Sequence, residues 1–174
     1  MTQIKEKAEK EGHGLVVVSP DAGGAKRASR VATKLGVDCA IVAKERLKAN
    51  EVASMRLVGS VKGKVAILVD DMADTCGTLT LGAQTLIKKG ALEVHACVVH
   101  GVFSGTALEK VNECKELSSV ITTNTIPQGI NEKKCSKLRV LDVSSLLAEA
   151  IRNVHLGQSV SALFKDNEQQ KQQQ

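Results

Sequence analysis

The chain has 174 residues, enough for one domain with a sizeable core of its own, and with two Phe and no Trp or Tyr that core has to be aliphatic. The same lack of aromatics removes any base-stacking platform, and a net charge of only +5 with no dense Lys/Arg stripe argues against nucleic acid and for small phosphorylated ligands. Five Cys, at positions 39, 76, 97, 114 and 135, are odd in number, lack CxxC spacing and follow no signal peptide, so reduced thiols in a cytoplasmic protein are expected rather than disulfides or a zinc site; no apolar run is long enough to span a membrane.

Residues 1–13 are charged and read as a short helix or a frayed tail. Gly14 to Val18 is the first predicted strand. It runs into Ser19-Pro20-Asp21-Ala22-Gly23-Gly24, and Lys26 to Leu35 then has a helical pattern stopped by Gly36. A strand from Cys39 to Ala43 leads into the charged segment 44–51, either a solvated surface loop or a mobile arm that brings Lys44 and Arg46 onto phosphates. Gly59 to Lys64 is a turn, followed by the β-branched strand Val65 to Val69. Further on, Leu92 to Val99 is a strand ending at His100-Gly101-Val102-Phe103-Ser104-Gly105, and Thr106 to Cys114 a helix. Ser119 to Thr123 and Leu138 to Val143 are strands, and Ser144 or Ser145 caps a helix reaching Asn153. Residues 166–174 are Gln-rich and expected to be disordered. Strands alternate with helices from residue 14 to 165, which predicts a single three-layer α/β domain, a mostly parallel sheet with helices on both faces.

The segment 65–78, VAILVDDMADTCGT, is the most informative. After its strand come two adjacent carboxylates, then a loop from Met72 to Gly77, then an amphipathic pattern from Thr78 to Lys89 stopped by Gly90. Unpartnered N–H groups and the dipole at a helix start suit an anion, and Gly77 has no Cβ to hold a phosphate away from the backbone. Asp70 and Asp71 would repel a phosphate placed on them and suit hydroxyl groups or a divalent cation. Opposed preferences a few ångströms apart describe a sugar phosphate. The competing reading is that the two acids merely cap the following helix. Cys76 is read as a small loop filler rather than a reactive thiol. Asp21 stands in the same kind of turn as Asp70, on the same predicted sheet edge, and His100 at another strand end is either a ligand contact or a satisfied structural residue. Neither GxxxxGK[ST] nor GxGxxG occurs in a strand-to-helix turn.

Beyond these patterns, VVVSPDAGGAKR (16–27), KERLKANEV (44–52), VAILVDDMADTCGT (65–78), HGVFSG (100–105), TNTIPQ (123–128) and LAEAIRNVHLGQSVSALF (147–164) resemble the carboxyl-terminal half of ribose-phosphate diphosphokinase, or phosphoribosyl pyrophosphate synthetase. The resemblance implies a phosphoribosyltransferase-like fold and, in nucleotide biosynthesis, transfer of the β,γ-diphosphoryl group of ATP to the 1-hydroxyl of ribose 5-phosphate with Mg2+. It implies that Asp70, with Asp71, meets the ribose hydroxyls and that Asp74, Thr75, Cys76, Gly77 and Thr78 hold the 5-phosphate. It places Asp21 near the metal, Lys44 as the catalytic lysine, and Arg46 as its partner toward ribose 5-phosphate and the transferred phosphates. In that family an amino-terminal domain supplies much of the ATP site, so a homo-oligomer or a hetero-oligomer with full-length synthetase is expected. A type I phosphoribosyltransferase, distinguished by a base-binding hood, and a non-catalytic ribose 5-phosphate-binding or regulatory subunit are the alternatives.

Overall fold

The computed structural model describes the backbone of residues 1–45 and 54–164 and the side chains of residues 1–42 and 56–163. The elements follow in the order α1 (Thr2–Lys10), β1 (Gly14–Ser19), α2 (Ala25–Leu35), β2 (Asp38–Glu45), β3 (Ser54–Val58), β4 (Lys64–Ala73), α3 (Gly77–Lys88), β5 (Glu93–Gly101), α4 (Ala107–Glu113), β6 (Ser119–Thr123), α5 (Asn131–Lys134), β7 (Leu138–Leu141) and α6 (Ser144–His155), then a 3-10 turn, Val160–Phe164. The chain divides into two compact units, Met1–Leu141 and Asp142–Gln174.

In the first unit seven strands form one sheet in the order β3-β2-β1-β4-β5-β6-β7. All neighbours pair in parallel except β2 and β3. The expected three-layer α/β architecture is therefore present. Strand β1 is buried from Leu15 to Ser19, as a strand covered on both faces must be. Successive side chains go to opposite faces. Val16, Val18, Ala66 and Leu68 join Leu79, Ala83 and Leu86 of α3 and Val111 of α4 in one core, while Val17, Ile67 and Val69 join Ala8 of α1 and Ala28 and Ala32 of α2 in the other.

Two expectations need correction, and the alternative left open for the first residues is decided. Strand β3 fell within a stretch given no element. It is a short edge strand, exposed at Arg56 and Val58, whose pairing is antiparallel to β2 and so carries no crossover pattern. The first residues form a docked helix rather than a frayed tail, because Ala8 is buried and the Lys5 ammonium donates to the Leu35 carbonyl at 2.7 Å. Strand β4 continues through both carboxylates to Ala73, since β5 keeps pairing with it as far as Ala73 opposite Gly101. The loop before α3 is thereby cut to residues 74–76.

The second unit holds α6 and the 3-10 turn. Neither Ser144 nor Ser145 caps α6; the Ser144 N–H donates to the Asp142 carboxylate at 2.8 Å. Leu147, Ile151 and Val154, spaced along one stripe of the helix, are exposed. Among the described residues no helix is long and apolar enough to cross a membrane.

Gly101 ends β5 where no side chain fits: a Cβ there would lie 2.4 Å from the Phe103 ring, 2.9 Å from Thr122 Oγ1 and 3.0 Å from Gln128 Nε2. Gly101→Ala is expected to destabilise the protein by about 1–3 kcal/mol through this overpacking, read as a lower midpoint in urea denaturation.

Candidate functional site

Strands β1 and β4 are parallel neighbours, with Val18 beside Leu68, but their crossovers leave in opposite directions, β1 toward β2 and β4 toward β5. Such a reversal opens a crevice at the carboxyl ends of the two strands, the usual ligand position in open α/β sheets. Both acidic turns found in the sequence empty into it. Turn 19–24 follows β1, and Asp70 and Asp71 form the end of β4.

The two carboxylates meet one cation. The Arg27 guanidinium, in the first turn of α2, donates from Nη1 to Asp70 Oδ1 at 2.8 Å and from Nη2 to Asp71 Oδ2 at 2.7 Å. Asp70 Oδ1 also accepts the Asp71 N–H, and Asp71 Oδ1 the Met72 N–H, each at 2.9 Å. Neither acid caps α3, so the capping alternative fails. Burial, together with the neighbouring Asp71 carboxylate, holds Asp70 above the usual carboxylate range despite Arg27. Burial acts in the same direction on Asp71, but the Arg27 charge and the hydrogen bonds it accepts outweigh it and leave this more exposed acid below that range.

Beyond Ala73 the chain turns through Asp74, Thr75 and Cys76 into α3. Cys76 takes the left-handed conformation at φ 60°, and Phe103 in the facing HGVFSG segment takes it at φ 50°. Non-glycine residues hold this conformation only where surrounding contacts enforce it. Here the Val102 and Phe103 N–H groups both donate to the Ala73 carbonyl, at 2.9 and 3.0 Å, and the Ser104 N–H to that of Asp74 at 3.1 Å. No side chain caps α3, Gly77 and Thr78 are exposed, and a Cβ on Gly77 would meet nothing within 4 Å. The helix start is thus an open set of N–H donors facing solvent. The Lys110 ammonium of α4 lies 3.5 Å from the Thr75 carbonyl and adds positive charge beside the loop.

Asp21 is exposed, its Oδ1 accepting the Gly24 N–H at 2.7 Å while the Ser19 hydroxyl donates to its carbonyl at 2.7 Å. Among the described residues no group of three or more His, Cys, Asp or Glu could hold a metal. One hard carboxylate at the crevice does fit Mg2+ that keeps most of its waters and takes further oxygens from a phosphorylated ligand. His100 makes its contact within the fold, Nδ1 lying 2.9 Å from Thr125 Oγ1. The side chains of Lys44 and Glu45, and the whole of residues 46–51 with Arg46 among them, lie outside the described residues.

Arg27 and Lys110 were not singled out from the sequence. For Arg27 a signal was available: α2 has no acid in its first turn yet carries Lys26 and Arg27 there, which the helix dipole disfavours unless a carboxylate compensates.

A model of the phosphoribosyl synthetase-associated domain matches residues 45–165. The chain belongs to that family. It is 54% identical over 151 residues to ribose-phosphate pyrophosphokinase A of Dictyostelium discoideum, covering 87% of this chain and 47% of that protein. It is 54% identical over 161 residues to ribose-phosphate pyrophosphokinase 2 of Schizosaccharomyces pombe, covering 92% and 50%. A crystal structure of phosphoribosylpyrophosphate synthetase from Mycobacterium smegmatis superposes with a TM-score of 0.78 at 39% identity, over 90% of this chain and 49% of that one. An adenine phosphoribosyltransferase, at 18% identity and a TM-score of 0.52, shares the fold alone. The resemblance and the phosphoribosyltransferase-type fold read from the motifs are borne out, and the chain spans about half the length of the curated relatives it matches.

The Cys76 side chain is buried, and burial first, with a smaller push from Cys135, raises its thiol to about 11. Cys39 alone among the five cysteines is exposed. Iodoacetamide at pH 8 is expected to label Cys39 and spare Cys76 in the folded protein, with Cys76 labelling appearing on unfolding; peptide mass mapping reads the order.

Proposed function

We propose that this chain is the catalytic carboxyl-terminal domain of a ribose-phosphate diphosphokinase and holds ribose 5-phosphate at the β4 crevice. The observation that carries the reading is the placement, within a few residues of one strand end, of an acid pair and an open, uncapped helix start. Asp70 and Asp71 accept from the ribose hydroxyls, and the backbone of residues 74–78, with Thr75 and Thr78, receives the 5-phosphate. From Asp71 to Ala73 the strand advances about 7 Å before the chain turns into α3, which separates the hydroxyl end from the phosphate end. Asp74, exposed in that turn, takes part in holding the 5-phosphate through its main-chain N–H. The 54% identity with two pyrophosphokinases supports the choice of this enzyme over a base-transferring phosphoribosyltransferase.

In the reaction the 1-hydroxyl oxygen of ribose 5-phosphate attacks the β-phosphorus of ATP. A new O–Pβ bond forms, the bond between Pβ and the α,β-bridging oxygen breaks with its electrons going to AMP, and the hydroxyl proton passes to solvent. Little covalent work falls to the protein, so its part is to fix the sugar and to place cations where charge develops. Asp70, Asp71 and the α3 start fix the sugar. Asp21 would hold Mg2+, which when bound supplies neutralising charge to the transferred phosphates. Lys44 and Arg46 are proposed to act on the transferred group. ATP is the second substrate, and the chain is proposed to work in an oligomer with itself or with a full-length synthetase.

Isothermal calorimetry is expected to show ribose 5-phosphate binding to the chain and its loss in the double variant Asp70→Ala, Asp71→Ala; undiminished binding in that variant sinks the site assignment. For turnover, AMP release from ATP, ribose 5-phosphate and Mg2+ is expected when the chain is mixed with an inactive full-length synthetase whose own Lys-to-Ala loop variant makes none. No AMP above background in that mixture rejects catalysis by this chain.

A further inference from the structure

Two adjacent carboxylates at a strand end are as good a start for a divalent-cation site as for a sugar site, and what separates the two outcomes is their partner. Four carboxylate oxygens are present. Asp70 Oδ1 and Asp71 Oδ2 take the two Nη groups of Arg27, and Asp70 Oδ1 and Asp71 Oδ1 also accept main-chain N–H groups. Among the described residues this leaves Asp70 Oδ2 as the oxygen with no hydrogen-bond partner. Asp70 Oδ2 is left open and each Asp71 oxygen accepts a single bond, which suits hydroxyl donors that need one oxygen apiece and tolerate a cation nearby.

A divalent ion needs the reverse. Mg2+ binds oxygens at about 2.0–2.1 Å in near-octahedral order, and an ion bridging Asp70 Oδ1 and Asp71 Oδ2 would have to lie where the Arg27 Nη groups now sit. Like charge repels it from the guanidinium, and no third His, Cys, Asp or Glu joins the pair among the described residues. The fork of arginine is what permits this: two parallel donors reach two carboxylates on consecutive residues, and a lysine point charge cannot hold both.

We propose that Arg27 is a specificity-determining residue that makes the Asp70–Asp71 pair a sugar-hydroxyl site and denies it to divalent cations, leaving the metal to the Asp21 turn. This rests on the ribose reading of Asp70 given above. Arg27 acts through the two acids and is a positioning residue.

The test reads metal binding directly, by the loss of the free Mn2+ electron paramagnetic resonance signal on titrating the full chain without nucleotide. Arg27→Gln is expected to bind one Mn2+ more than the unsubstituted chain, and the added Asp71→Asn change to abolish that gain. Arg27→Met should show the same gain, so the result does not hang on one variant folding, and Arg27→Lys, which keeps the charge, should not. In calorimetry Arg27→Gln is expected to weaken ribose 5-phosphate binding at least tenfold. No additional Mn2+ in either Arg27→Gln or Arg27→Met, each folded by circular dichroism, overturns the proposal. Absence of ribose 5-phosphate binding in the unsubstituted chain overturns instead the function proposed above, while the Mn2+ comparison still decides the role of Arg27.

Discussion

The parallel pairing of β1 with β4 is the constraint on which the rest depends. Both strands are buried on both faces, and each is held by the hydrophobic effect between α1 and α2 on one side and α3 on the other. Because their crossovers diverge, a crevice opens beyond their carboxyl ends. Two turns separated by about fifty residues of sequence are thereby emptied into one crevice, where Arg27, just past the first turn, reaches Asp70 and Asp71 at the end of β4. A slip of one residue in this pairing would exchange the two cores, Val17 and Ile67 for Val18 and Leu68, so the register that positions the site is the one that buries the aliphatic core.

Extending β4 through Asp70 and Asp71 has an electrostatic cost. Consecutive carboxylates at the end of a strand repel each other, and Asp70 is partly removed from water. Arg27 offsets this from α2, whose dipole works against a cation in its first turn. The acids and the arginine each sit where local electrostatics disfavours them and are stable as a group. The same holds for the backbone: Cys76 and Phe103 adopt left-handed conformations that cost of order 1 kcal/mol or more apiece, and the hydrogen bonds from residues 102–104 to Ala73 and Asp74 hold them there. Local rules are broken together at the crevice and obeyed elsewhere in the sheet.

Much of this was legible in the residues. β-Branched runs at 14–18 and 65–69 have no other comfortable conformation than a strand covered on both faces, and glycines at 36 and 90 mark where the flanking helices stop. The end of β4 was misplaced because charge at Asp70 and Asp71 reads as a loop, and only pairing with β5 keeps it extended. Strand β3 was missed because SMRLV is short, edge-placed and antiparallel, so neither alternation nor a crossover marks it. The Arg27 clamp joins residues 43 and 44 positions apart, and no pattern within one element reports such a contact. The acid-plus-loop motif was readable because its parts are consecutive.

The proposed preference for a sugar phosphate over a free anion or a free cation rests on how the charges of the crevice are divided. At the proposed hydroxyl end two carboxylates and one guanidinium leave about one net negative charge, which repels a phosphate, while the guanidinium works against a divalent ion. At the loop end the helix start and Lys110 supply positive potential, with Asp74 at the boundary. A ligand gains from both ends only when it carries donors and an anion on one rigid frame, at a spacing set by the end of β4 and the 74–76 turn that leads into α3. Removing either end therefore costs more than its own contacts, because the frame then loses its orientation along with its affinity.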